Sequence, residues 1–313
     1  MMARVFFKAT EDALNNITEL FKLVHPLRTS MHYTRKAVAQ MATENPNADD
    51  DYFKSIIDPD DNVHGTGFRE AFIDTPWAKQ EEQLAWLLLN NLFAIHEGWV
   101  DSIFYERFKG KGYGKDNFTG GLEYTGLSAK FASYYITNSK RSRLLSDAFF
   151  DTYKNASRLD FSKIDNYMLM YRYFKEARNC FMHGNCIASQ RLMDAYTSYS
   201  VVATKADLDV TEVPIIISPV LGAKVHLNIR GVIGFSDFVQ RILIISDINL
   251  LQTKPAEEEF LNRKPSGLLL TLNTNPTRAQ EQIRHVCERA GFLRPVWSEE
   301  LQRYMVTHRF ISR

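Results

Sequence analysis

The run from Leu84 to Phe108, LAWLLLNNLFAIHEGWVDSIFYERF, carries apolar side chains at helical spacing on more than one face. A helix that is apolar nearly all round must be covered on nearly all sides, so this run predicts a long buried helix at the centre of a helical assembly. The chain can supply that cover. Of its 313 residues 45% are hydrophobic, enough for one large domain or two modest ones. The expected fold class is mainly α.

The remaining segments arrange themselves around this centre. A first helix leads into the acidic stretch Glu44 to Asn62, which reads as a surface excursion that repels phosphate. After the central helix the Gly- and Lys-rich run KGKGYGKDNFTGG is a decisive break. Leu127 to Ile136 and Arg141 to Tyr153 then read as amphipathic helices joined by the basic link NSKRSR. A further helix runs from Asp160 to His183, with Gly184-Asn185 as its stop. Val213 to Ser218 and Lys224 to Val232 are β-like and predict a hairpin insertion, after which Phe235 to Leu251 returns to helical spacing.

A boundary is expected in the charged, Pro-containing segment Gln252 to Gly267. Residues 1–252 would then be one helical domain, with its core at about 80–252 and a helical extension at 1–79. Residues 253–313 would be a small α/β appendage built from a strand, a helix from Thr277 to Ala290 and a short closing unit.

Lys and Arg number 38 against 37 Asp and Glu, so no global field drives the chain onto nucleic acid or an anionic membrane. From Arg263 onward there is a local excess of 9 basic over 4 acidic residues. Cys180, Cys186 and Cys287 are too few and too unevenly spaced for a disulfide framework or a closed four-ligand zinc site, which fits a reducing compartment. The N-terminal residues lack the pattern of a signal peptide, so the expected location is cytoplasmic. The longest apolar runs are broken by Asn90-Asn91 or carry Asp237, Arg241 and Asp247, which argues against a membrane span.

The residues that carry chemistry are Arg178-Asn179-Cys180-Phe181-Met182-His183, at the end of a predicted helix. At about 100° per residue, Asn179 and His183 fall one turn apart on one face, where the amide could orient the imidazole. Arg178 lies about 140° round the helix from His183, so only its long side chain or a second protomer brings both onto one substrate. His183 sits in the last turn, where unpaired carbonyls favour a cation. A permanently charged, forked guanidinium suits a phosphate, and an imidazole suits moving a proton to or from the attacking or leaving oxygen. The pair suggests phosphodiester chemistry.

Arg178-Asn179-x-x-x-His183 resembles the R-x(4–6)-H signature of HEPN domains, in the form with a polar Asn after the Arg. The order of parts is similar too: a buried helix with an acidic residue, Glu97, then the signature at the end of a later helix, then a β-like insertion and a closing helix. The resemblance covers residues 80–252. It implies a helical bundle and a metal-independent endoribonuclease of a toxin or anti-phage setting, needing no cofactor. RNA would be cut by attack of the ribose 2′-hydroxyl, in a homodimer whose two motifs share one cleft. Carried over, His183 would be the general acid or base, Arg178 would stabilise the phosphorane, Asn179 would position His183 or the phosphate, and Glu97 would orient Arg178 by an ion pair. An antitoxin or defence-system partner is implied as well. Some relatives carry a Tyr before the His that a nucleotidyltransferase modifies; Met182 stands there, which argues against an antitoxin of that kind.

Plainer readings compete with these. Arg and His near a helix C-terminus also stabilise its carbonyl end by roughly 0.3–1 kcal/mol each. Tyr167, Tyr171 and Phe174 recur at helical spacing, which points to packing before base stacking. His64-Gly65-Thr66-Gly67 reads as a turn, and Gly110 to Lys115 as a connection that lacks the order of a phosphate-binding loop. The rival functions are a non-catalytic interaction scaffold and a regulator whose C-terminal unit binds DNA through Arg278, Arg284 and Arg289.

Overall fold

In this computed structural model, which describes residues 4–60, 67–106, 141–265 and 270–312, helices dominate. In chain order they are α1 (Lys8–Glu44), α2 (Asp50–Ile57), α3 (Trp77–Val100), α4 (Arg143–Leu145), α5 (Asp151–Ser157), α6 (Ile164–His183), α7 (Gln190–Ser200), α8 (Lys205–Leu208), α9 (Ile229–Leu250), α10 (Lys254–Asn262), α11 (Pro276–Arg289) and α12 (Glu299–Thr307). Two-residue strands, β1 (Leu270–Thr271) and β2 (Ile311–Ser312), pair in parallel. No helix among the described residues is long and apolar enough to cross a membrane.

The two most apolar helices, α3 and α9, form the centre. On α3, Leu88, Leu89, Leu92, Phe93 and Trp99 are buried on different sides, because α1, α6 and α9 all lie against it. Phe93 and Phe235 meet at 5.6 Å, and Phe174 of α6 stacks on Phe235 at 4.4 Å. The expected packing role of Tyr167, Tyr171 and Phe174 is what their burial shows. After Val100 the helix passes into a π-helical turn, Asp101–Glu106.

The predicted hairpin does not form. Val213 to Ser218 forms neither strand nor helix, and the second run turns helical at Ile229 after the Asn228 side chain accepts from the Arg230 N–H at 2.8 Å. That segment lies across the first turns of α9 instead. A Cβ on Gly231 would overlap the Ile215 carbonyl oxygen, and one on Gly234 would press on the Pro214 ring. Those two glycines admit a chain crossing where a strand partner was expected.

The acidic stretch is more than a surface excursion. It folds α2, whose Asp49 cap accepts from the Tyr52 N–H, and buries Phe53 against Val38 of α1 and Phe68 in a small second core. The Leu127–Ile136 helix, the basic link through Lys140, the Gly110–Lys115 run and His64-Gly65-Thr66 lie outside the described residues.

The apolar core crosses the boundary expected at residue 252. Phe260, Ile283, Phe292, Leu301 and Phe310 belong to the same buried cluster as Phe6, Phe149 and Leu92. Polar contacts follow the same path. Asp247, buried on α9, accepts from the N–H groups of Phe6 at 2.6 Å and Phe7 at 3.0 Å, while Glu259 of α10 accepts from the Lys8 N–H at 2.9 Å. Arg263 donates to the Phe6 carbonyl at 2.7 Å. The otherwise orphaned N–H groups where α1 begins are thus capped by carboxylates more than 200 residues away in sequence.

Candidate functional site

Helix α6 carries the candidate residues, and its two sides have different chemistry. One side buries Tyr167, Met170, Tyr173, Phe174, Ala177 and Cys180. The other bears Arg172, Lys175, Glu176, Arg178, Asn179 and His183, and at its edge Arg178 reaches Glu97 of α3. Stacking of Trp86 on Phe181 at 4.5 Å fixes α3 against α6 close to the end of the latter.

Arg178 and Glu97 form an ion pair across these helices, Nη1 to Oε1 at 2.9 Å, each about one-quarter exposed. The guanidinium carbon sits 5.4 Å from the Phe93 ring centroid, so the Arg is held by a carboxylate and an aromatic face one helical turn apart on α3. Its Nε is buried with no hydrogen-bond partner among the described residues, which leaves donor capacity unspent. The geometry expected of Glu97, a partner that orients Arg178, is present.

Asn179 is placed differently from the expectation. Its amide nitrogen donates to Glu176 Oε2 at 3.3 Å, one turn back, and no hydrogen bond joins it to His183. Glu176 is nearly fully buried and also meets Arg172 at 2.9 Å. A buried carboxylate needs donors more than an exposed imidazole that water can serve, so the amide goes to the carboxylate.

His183 is the last residue of α6 and is exposed. Beyond it the chain reverses through Asn185 and Cys186, both at positive φ (50° and 63°), with the Gly184 and Cys186 N–H groups both donating to the Cys180 carbonyl. The turn is then tied down by bonds from Ala188 N to Ala223 O and from Val225 N to Cys186 O. His183 therefore projects from a helix end whose exit path is fixed. Along the axis it stands about 7.5 Å from Arg178 and about 140° round.

Behind the ion pair lies a buried polar layer that the spacing of the signature did not announce. His96 Nδ1 and the Tyr171 hydroxyl meet at 3.1 Å. Burial, with the charge of Lys175 adding to it, pushes the His96 imidazole down to about 3, so it is neutral near pH 7. Burial, then the Glu97 charge, holds the Tyr171 hydroxyl far above its ordinary value. Lys175 is pushed down to about 8, first by burial and then by Arg172. Arg172, Lys175 and Arg178 outnumber Glu97 and Glu176, so this seam carries a positive excess at neutral pH. One signal could have found Phe93 and His96: they lie four residues and one residue before Glu97, inside the most apolar helix of the chain.

Comparison with protein-family models, with curated proteins and with solved structures returns no match. The arrangement is therefore read from its own chemistry: an anchored guanidinium suited to a phosphate, and an exposed imidazole at the end of the same helix suited to proton transfer.

Proposed function

We propose that this chain is a HEPN-like endoribonuclease that cuts RNA by attack of the ribose 2′-hydroxyl, without a metal or other cofactor. The observation that carries the reading is the Arg178–Glu97 pair at 2.9 Å, on the helix whose exposed last residue is His183. Arg178 would hold the scissile phosphate and offset the charge of the phosphorane. His183 would take the proton of the attacking hydroxyl or return one to the leaving oxygen. One imidazole cannot do both at once on a single substrate, which favours a homodimer that presents two motifs to one cleft. Asn179, held by Glu176, would contribute to positioning through that carboxylate. A cytoplasmic toxin or anti-phage role, with an antitoxin or defence-system partner, follows from the family resemblance alone.

A second reading, a non-catalytic interaction scaffold, is favoured by one observation: the Asn179 amide is spent on Glu176 and does not orient the imidazole. A cleavage assay with a chelator present separates the two. The purified chain is expected to cut RNA and leave 2′,3′-cyclic phosphate ends, and His183→Ala and Arg178→Ala are expected to abolish cutting with the fold intact. Cutting that persists in His183→Ala would end the nuclease reading.

A further inference from the structure

Two of the three cysteines of the chain flank the helix end that carries His183. Cys180 is buried on the inner side of α6, and Cys186, partly exposed, is the second residue past the Gly184 cap. Both are free thiols, and His183 lies between them in the chain. Neither has a part in the chemistry proposed above.

The backbone fixes how close the two residues come. The Cys186 N–H donates to the Cys180 carbonyl oxygen at 2.9 Å, and ordinary bond lengths on either side of that contact keep the two Cα atoms within about 6.8 Å. A disulfide spans Cα separations of about 4.4–6.8 Å. The side chains agree with that reach. Cys180 Sγ lies 3.6 Å from Ser189 Oγ, so the buried thiol points at the chain that leaves the turn. A residue second past a helix cap commonly packs on the residue four before the cap, and here those two places are held by Cys186 and Cys180. Cys186 also stands at φ 63°, a conformation that helix-ending turns usually give to glycine or asparagine, so backbone preference does not account for a thiol there.

The turn is closed without any covalent bond, because the Gly184 and Cys186 N–H groups hold the Cys180 carbonyl and the Val225 N–H holds the Cys186 carbonyl at 2.7 Å. The fold therefore does not require a disulfide, and one that closes so short a loop adds less stability than a long-range one. Such a bond opens and closes with the surrounding redox conditions. We propose that Cys180 and Cys186 form a reversible disulfide, made by exchange with a small-molecule disulfide such as oxidised glutathione, and that this bond locks the turn presenting His183. The more exposed Cys186 gives up its proton and attacks one glutathione sulfur, the S–S bond of glutathione breaks, and one glutathione leaves as the thiol. Cys180 then gives up its proton, attacks Cys186 Sγ in the mixed disulfide and expels the second glutathione. The protein loses two electrons and two protons, and one oxidised glutathione becomes two thiols. Cys287 takes no part: it is buried on α11, and burial, then the Glu288 charge, pushes its thiol up to about 12.

The full chain, equilibrated in glutathione buffers from fully reduced to fully oxidised, alkylated and then digested for mass spectrometry, tests this. In the oxidised buffer the peptide joining Cys180 to Cys186 is expected to outweigh its alkylated form by about tenfold or more, and dithiothreitol is expected to reverse it. Cys287 is expected to be alkylated only after denaturation. Cys186→Ser should give no linked peptide, and Cys180→Ala should stop at the mixed disulfide on Cys186, both with an unchanged circular dichroism spectrum. The His183 imidazole signals in the NMR spectrum, assigned by their loss in His183→Ala, should differ between the oxidised and reduced parent and stay fixed in Cys186→Ser. Absence of the linked peptide in the fully oxidised buffer, a bond that involves Cys287 or joins two chains instead, or His183 signals that ignore the bond would each overturn the proposal. No RNA enters the experiment, so a failure here does not bear on RNA cutting.

Discussion

Glu97 sets how firmly Arg178 is held, and the pair is partly buried, so removing one charge exposes the cost of the other. Glu97→Gln keeps an oxygen for the guanidinium but loses the charge. It is expected to lower stability by about 1 kcal/mol in urea denaturation and to slow RNA cutting by about tenfold or more. Cutting at the parental rate would detach Glu97 from the reaction. This contact was legible in the sequence, because an acidic residue inside a buried helix needs a cation and the signature supplies one. The partner of Asn179 was not. Helical spacing offers the amide both His183, four residues on, and Glu176, three residues back, and only burial decides between them. The same holds for His96 and Tyr171: their pairing depends on how α3 and α6 meet, which no local pattern reports.

Among the elements, α9 shows where local pattern and tertiary packing part company. Its helical period was readable from Phe235 onward, but the residues before it alternate like a strand, and a strand needs a partner edge. The run from Ile229 joins the helix instead, and the other β-like run, at Pro214 and Ile215, becomes a strap over Gly231 and Gly234, positions at which any side chain would collide with it. Gly231→Ala is expected to cost about 2 kcal/mol or more, read as a lower urea midpoint, because the obstructing atom is backbone and cannot swing aside. The capped start of α1 gives an element-scale prediction with a pH sign. Burial is the main cause that raises Asp247 from its ordinary 3.8 to about 7, against the opposing pull of the Phe6 N–H and its neighbours. A folded-state value above the unfolded one means that the linked stability is fully present below about pH 4 and is lost as pH rises through about 7. Thermal unfolding at pH 5 and pH 8 should show that decline in the parent chain and a flatter profile in Asp247→Ala. The same variant should be less stable by about 3 kcal/mol, since two buried N–H groups lose their acceptor.

At the scale of the whole molecule, one apolar cluster joins the first described residues to the last helices. Phe6 meets Phe149 and Tyr153 at 5.8 Å and Phe292 at 4.8 Å, and the Leu293 N–H donates to the Tyr153 hydroxyl. Calorimetry is accordingly expected to show one cooperative transition, and a chain cut after Gln252 to lose that transition rather than keep a helical domain with its appendage removed. Two separable transitions would show that the core is divided at the charged segment after all. Charge and proline content suggested a boundary there because both mark exposed connections, but they say nothing about what the flanking aromatics touch. The caps on α1 carry a consequence for biosynthesis. A ribosome releases Phe6, Phe7 and Lys8 well before Asp247 and Glu259, so α1 waits through the synthesis of more than 200 residues for the carboxylates that seat it.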